Sequence, residues 1–600
     1  MFAFPKPDVE QLLRTVSIQD FAVSPDEKQI IINTNISGKY NLWAMNLPNA
    51  FPYRLTLNDQ PSEYLRYDPK GRYVLAGFGH DGNENTQLYA MPTFGGFLKK
   101  VVFQKNTRNF YPFLSDDGER VYYSSTKENP SFLSSFCIDM NTGEETKVLE
   151  GSEGKTFLTE VREEESILLY LKQFSNTHIL YYVKKGDEHI LLTPPTEREH
   201  TVSDAVIVSE TEVYLVTDYD ADFSYLARFN LETREFTKLK ELPQESFTTL
   251  TYDKKNKILY ITSEKGVRDY LYAYYLEQQD WVKLNIPCDL VAKTIVADSG
   301  SLYLLGKSSI TPENIFKLVD GHEWTKITDN AIGGIRKEDM VEPEVITYSS
   351  FDGIQIEGLL FKSKPEFDKG QMIVWPHGGP QKAERKSFRA LFQYLLMNGY
   401  SIFAPNFRGS TGYGLAFTKM VERAWGEGPR LDVLAGLDWL IDQGYTKKGE
   451  FFLMGGSYGG YMSLLLHGRH AEYFKAVVDI FGPTNLFTFI QSVPDDWKPI
   501  MDAFVGHPEK DREKLIEYSP MTYIEQMTKP MLVIQGANDP RVLKVESDRI
   551  VETLKKNGRD ISYMVMEDEG HGFSKKENEI AVYRRILDFL EDHIHEKVKS

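Results

Sequence analysis

Phe451-Phe452-Leu453-Met454-Gly455-Gly456-Ser457-Tyr458-Gly459-Gly460 decides how the second half of this chain is read. The first four residues form an apolar run of strand length, and from Tyr458 to His467 the pattern is helical. Gly-x-Ser-x-Gly between a strand and a helix makes a tight turn that lifts its serine above the sheet. Ser457 is therefore the candidate nucleophile. Glycines two before and two after it let strand and helix backbones approach without a Cβ clash. The Tyr458 amide, at the positive end of the helix, is expected to donate to an oxyanion.

A serine hydroxyl is a weak nucleophile at neutral pH and needs a base. In this chain order the acid comes next and the histidine last. Met531–Gln535 reads as a buried strand, and Asp539 lies in the turn at its end. Ser562–Met566 is a further strand, and Glu569-Gly570-His571-Gly572-Phe573 is its exit loop. His571 is the expected base and Asp539 the group that orients it. Asp479, at the end of the strand after the nucleophile, is the rival acid. His467, His470, His507, His593 and His595 read as solvated histidines. The second oxyanion donor is expected from His377-Gly378-Gly379-Pro380, after the strand Met372–Pro376, as the Gly379 N–H. The Tyr413 hydroxyl is the competing donor, and His377 reads as a residue that shapes the loop.

Around this turn, apolar runs alternate with amphipathic stretches. Further strands are expected at Ser401–Pro405 and Ala476–Ile480, and helices at Ser387–Met397, Leu431–Asp442, Glu546–Lys556 and Glu579–His593. Such alternation implies a mainly parallel sheet covered on both faces, an α/β-hydrolase fold over residues 335–600.

Residues 19–325 follow another rule. Polar turns recur near Ser24, Asp68, Ser115, Glu163, Ser209, Asp253 and Asp298, each 44 to 48 residues after the last. Each is followed by two strand-length runs, such as Gln29–Thr34 with Asn41–Asn46 and Glu212–Thr217 with Tyr225–Asn230. One small twisted sheet cannot cover its own apolar faces, but a ring of them can. Seven all-strand repeats predict a seven-bladed β-propeller. Residues 1–18, with a short helix around Asp8–Thr15, precede it.

The chain has 600 residues and a formal net charge of −18, which argues against a nucleic-acid partner. Its two cysteines, Cys137 and Cys288, sit in no metal-like spacing, and no metal or cofactor is expected. No stretch is apolar for long enough to span a bilayer and no signal-like start is present, so an intracellular, cytoplasmic protein without a membrane partner is expected.

These motifs together resemble the prolyl oligopeptidase family, and most closely its acylaminoacyl-peptidase branch. The resemblance rests on His377–Pro380, Asn406–Gly414, Gly455–Gly460, Asn538-Asp539-Pro540-Arg541 and Gly570-His571-Gly572. It implies a propeller that admits short or unstructured peptides and excludes folded proteins. It also implies release of N-acylated amino acids, the first eighteen residues packed on the hydrolase domain, and a homo-oligomer, most simply a dimer. Arg541 matches a position that binds a substrate carbonyl in relatives. The apolar stretch between Phe481 and Phe504, with Phe489, Ile490 and Trp497, falls where relatives build the pocket before the scissile bond. A carboxylesterase or a broad oligopeptidase would use the same triad. An inert, partner-recruiting propeller protein fits an intact triad poorly. A dipeptidyl-peptidase reading needs paired glutamates for a free amine, and Glu163-Glu164-Glu165 reads instead as a solvated charge run.

Overall fold

Seven four-stranded antiparallel sheets succeed one another from Ile18 to Lys326 in the computed structural model, which describes residues 8–162 and 165–594. They are the blades of a propeller. Within the first three and the fifth blades the second strand is buried along nearly its whole length: Gln29–Thr34, Tyr73–Phe78, Arg120–Ser125 and Glu212–Thr217. These strands are covered on both faces by neighbouring blades, so they read as continuous apolar runs. Outermost strands such as Glu145–Leu149 are largely exposed. In the first three blades the recurring polar turn residues hold the first hairpin. Ser24 Oγ accepts from Gln29 N (2.9 Å), Asp68 Oδ2 from Arg72 N (2.8 Å) and Ser115 Oγ from Arg120 N (3.0 Å).

Every blade is made of four consecutive strands, and among the described residues no strand crosses from one end of the ring to the other. Side chains close the seam between the first and seventh blades. Lys293 Nζ pairs with Asp20 (2.5 Å), Lys317 Nζ with Glu27 (2.8 Å), and Ile30, Ile32, Tyr303 and Leu305 share one apolar cluster.

Glu344 begins an eight-stranded sheet. Its order is Glu344–Ser349, Gln355–Phe361, Tyr400–Pro405, Gln371–Val374, Phe451–Gly456, Phe474–Ile480, Met531–Gly536 and Ile561–Met566. The last six are mutually parallel and coincide with the six runs expected from the sequence. The two antiparallel strands at the edge were not expected; Glu344–Ser349 buries only Tyr348 and lacks an apolar run, whereas Gln355–Phe361 is largely buried. The expected helix Ser387–Met397 begins only at Ala390. One apolar cluster under each face of the sheet, one with Trp425 and Tyr461, the other with Trp375 and Phe392, forms the core of this half.

The short helix Val9–Leu13 buries Val9, Leu12 and Leu13 against Tyr394, Met397 and Tyr583 of the hydrolase half, and Arg584 binds both Asp8 and Glu10. Residues 1–7, Glu163, Glu164 and His595 lie outside the described residues. Among the described residues no helix is long and apolar enough to cross a membrane.

Candidate active site

Ser457 caps the helix Tyr458–His470 with φ 57° and ψ −122°, a conformation strained for a side chain with a Cβ. The turn is so tight that a Cβ at Gly455 would lie 2.4 Å from Gly459 O, and one at Gly459 would lie 2.1 Å from Pro376 O. Only hydrogen fits at either position. Ser457 N donates to Ile480 O (2.9 Å), which ties the turn to the next strand.

Ser457 Oγ stands 2.9 Å from His571 Nε2, and His571 Nδ1 stands 2.6 Å from Asp539 Oδ2. The other Asp539 oxygen accepts from the backbone amides of Arg541 (2.9 Å) and Val542 (3.0 Å), so the carboxylate cannot swing away. The structure thus brings together three side chains from three strand ends. With the ring donating Nδ1–H to Asp539, Nε2 is free to accept a proton from the serine. The histidine loop is held by Glu569, whose buried carboxylate accepts from Ser574 N (2.9 Å), Ser574 Oγ (2.8 Å) and Lys575 N (3.0 Å).

Asp479 is placed elsewhere. It is fully buried, accepts from Gly482 N (3.0 Å), and its Oδ2 has no partner among the described residues. Burial pushes its carboxyl up to about 8, with the Gly482 amide opposing. A folded-state value above the ordinary 3.8 means that the unfolded chain ionises first. Its contribution to stability is therefore complete below about pH 4 and is lost as pH rises toward about 8. Asp479→Asn is expected to narrow the difference in melting temperature between pH 5 and pH 8, as measured by thermal unfolding at both. An unchanged difference would refute the buried neutral carboxyl.

His377 is buried, and burial pulls its imidazole down to about 4, so the ring is neutral. Its Nδ1 lies 2.8 Å from Gly378 O, its Nε2 lies 2.8 Å from Ser410 Oγ, which also lies 2.6 Å from Phe407 O, and the ring stacks on Phe407 at 4.2 Å. Carbonyl and amide of one trans peptide point opposite ways, so the Gly379 N–H faces away from the ring. Gly378 lies directly over the nucleophile, since a Cβ there would be 3.5 Å from Ser457 Cβ. Tyr458 N–H is the first amide of its helix and has no intrahelical acceptor. Tyr413 is not brought into the site. Its hydroxyl donates to Glu357 (2.8 Å) and accepts from Asn406 (2.9 Å), a closed pairing of buried polar groups that leaves no proton for a ligand.

Ser457, His571, Gly378 and Gly379 border a cavity of about 840 Å³ between propeller and sheet. On the side of Tyr458 its wall is apolar: Trp425, Phe489, Trp497, Met501 and Phe504. Ile490, expected beside Phe489, is instead in the core and does not border the cavity. Adjacent residues on a helix diverge by about 100°, so only one of the two can face it. Trp425 was not singled out from the sequence. Here it packs edge-on against Tyr458 (5.1 Å) and Phe504 (5.0 Å). Phe481, whose ring lies 4.5 Å from that of His571, was not singled out either.

Arg541 borders the cavity with its Nε donated to Glu84 of the second blade (2.6 Å) and its guanidinium over the Trp497 ring (5.6 Å). Glu84 also binds Arg108 (2.9 Å), which binds Asp496 (2.8 Å), which binds Lys155 (2.9 Å). Burial draws the Lys155 ammonium below the usual lysine range, and Asp496 opposes the fall. The loop that carries Glu84 meets the histidine loop at two more points. Asp81 pairs with Lys575 (3.0 Å), and a Cβ at Gly82 would lie 2.5 Å from Gly570 N.

The propeller is thus set over an α/β-hydrolase-type sheet, with Ser457, His571 and Asp539 in one hydrogen-bonded line beneath it. Residues 386–597 match the model of the prolyl oligopeptidase family. Over 227 residues the chain is 37% identical to dipeptidyl peptidase family member 6 of Caenorhabditis elegans, covering 37% of this chain and 31% of that protein. Over 261 residues it is 25% identical to the human acylamino-acid-releasing enzyme, covering 42% and 35%. The matched stretch spans about a third of these curated relatives. The structure of a puromycin-hydrolyzing peptidase of Mycobacterium tuberculosis superimposes with a TM-score of 0.84 at 17% identity, covering 99% of this chain and 97% of that one. Both halves of the fold are shared.

Proposed function

We propose that this protein is a serine peptidase that releases N-acylated amino acids from short peptides through an acyl-enzyme on Ser457. The observation that carries this reading is the line from Ser457 Oγ to His571 (2.9 Å) and from His571 to Asp539 (2.6 Å). Ser457 Oγ attacks the scissile carbonyl carbon while His571 Nε2 takes its proton, and Asp539 stabilises the imidazolium. The tetrahedral oxyanion is received by Tyr458 N–H and Gly379 N–H. The C–N bond then breaks, and His571 returns the proton to the leaving amine. Water repeats the sequence on the ester.

A blocked amino end is favoured by the charges around the cavity. Lys155 and Arg541 border it, while the carboxylates beside them, Asp496 and Glu84, are each already paired with two cations. An acyl carbonyl can accept from Arg541, whereas a free ammonium would meet like charge. The name of the C. elegans relative supports a second reading, a dipeptidyl peptidase that anchors a free amine. A carboxylesterase or broad oligopeptidase would use the same three side chains. The deciding experiment compares kcat/KM for one short peptide with its amino end acetylated and free. We expect the acetylated form to be cleaved faster; faster cleavage of the free-amine form would overturn the acyl reading.

Both cysteines are free thiols, which supports a reducing, cytoplasmic setting. The resemblance further suggests a dimer, which sedimentation of the whole chain would test.

A further inference from the structure

The cavity does not end at the nucleophile. Its wall continues from His571 through Phe573 to Glu579 and Tyr583, with Tyr40 and Phe388 facing them. Glu579 and Tyr583 lie one turn apart on the helix Lys576–Asp592 and so share a face. The Tyr583 hydroxyl donates to Glu579 Oε1 (2.6 Å). Among the described residues no lysine or arginine forms an ion pair with this carboxylate. The other charged groups nearby are engaged: Arg389 with Glu384 (2.8 Å), Glu313 with Lys307 (3.1 Å), and Lys576 Nζ with the Thr15 carbonyl (3.1 Å). Burial raises the Glu579 carboxyl above the usual range, with Tyr583 and Lys576 opposing. Among the described residues no cation touches this carboxylate directly, and Lys576 acts on it only at a distance, so a carboxylate withdrawn from bulk water and bordering a cavity has a place for a cation in contact.

The direction of this lobe follows from the chemistry. His571 protonates the leaving amine, so the departing part of the peptide lies on the histidine's side of Ser457. The apolar wall of Trp425 and Phe489 lies on the other side, beyond Tyr458. We propose that Glu579 forms a subsite for a basic residue in the leaving segment, within the first two residues after the scissile bond. Tyr40, Phe388 and Tyr583 flank it with aromatic surface suited to the methylene stem of a lysine or the plane of an arginine. This inference rests on the peptidase reading above.

The test uses acetyl-Phe-Lys-Ala-amide and acetyl-Phe-Ala-Lys-amide, each beside a peptide with norleucine replacing lysine. Norleucine keeps the stem and removes the charge. Acetyl-phenylalanine nitroanilide, which has no residue beyond the scissile bond, reports the peptidase reading separately. Lysine is expected to raise kcat/KM over norleucine by roughly tenfold at one of the two positions, the effect of one charge-assisted contact. In Glu579→Gln, checked for folding by its melting curve, that ratio is expected to fall to about one. Equal cleavage of lysine and norleucine peptides by the native protein would overturn the subsite while nitroanilide turnover left the peptidase reading standing. A ratio that survives Glu579→Gln would overturn it as well. No turnover of any substrate would remove the reading beneath it, and the subsite with it.

Discussion

Replacement of Ser457 by alanine is expected to lower hydrolysis of both acetylated peptide and ester by roughly 10³-fold or more. The melting temperature should not fall. The Ser457 side chain makes one hydrogen bond, to His571, so little packing is lost with the hydroxyl. The strained backbone at φ 57° is imposed by the glycines around it and remains with alanine. The residual rate would come from Gly379 and Tyr458 amides and from binding, neither of which needs the hydroxyl. Turnover near that of the native protein would rule out Ser457 as the nucleophile. Activity and a melting curve on the same preparation separate chemistry from folding.

Asp539→Asn is expected to cost about 10⁴-fold in kcat, by a different route. One Asp539 oxygen accepts two backbone amides, at 2.9 and 3.0 Å, and the other faces His571 Nδ1. An asparagine in this place must keep its oxygen on the amides, because an NH2 there would oppose two donors. Its NH2 then points at His571 and makes Nδ1 an acceptor. The ring proton moves to Nε2, where it blocks uptake of the serine proton. KM should change little, since Asp539 does not border the cavity. A variant that retained native kcat would show that the tautomer is not controlled by Asp539. Proton NMR of the ring nitrogens would reveal the change directly.

The parts that were legible in the sequence are those in which local chemistry decides. Seven polar turns at even spacing required hairpins, and apolar second strands required neighbours on both faces. Gly455 and Gly459 flank Ser457 because nothing larger fits, so the nucleophile turn could be read from three letters. Asp539 and His571 follow strands of plainly apolar type. The unread parts depend on which surfaces meet. Nothing near Glu84 announces a partner 457 residues away at Arg541. Ile490 and Phe489 are equivalent in composition and separated only by the angle between adjacent residues on a helix. Tyr413 carries a hydroxyl of the right kind, but Glu357 takes it, and that pairing is visible only when the loop before Leu415 is brought beside the strand Gln355–Phe361. The outermost strand escaped for the opposite reason. Glu344–Ser349 faces water along most of its length, and burial is what writes a recognisable pattern.

The loop at Asp81, Gly82 and Glu84 gives the ring a duty beyond covering the cavity. It presses on the backbone of the residue before His571 and grips Lys575 and Arg541 on either side. The base and the acid-bearing turn are thus braced from the first third of the polypeptide, like a jig clamped to a workpiece. A hydrolase half produced by itself would keep its sheet and its serine turn but lose this brace, and its proton relay would drift out of alignment. Cover and brace are in this protein one piece of architecture.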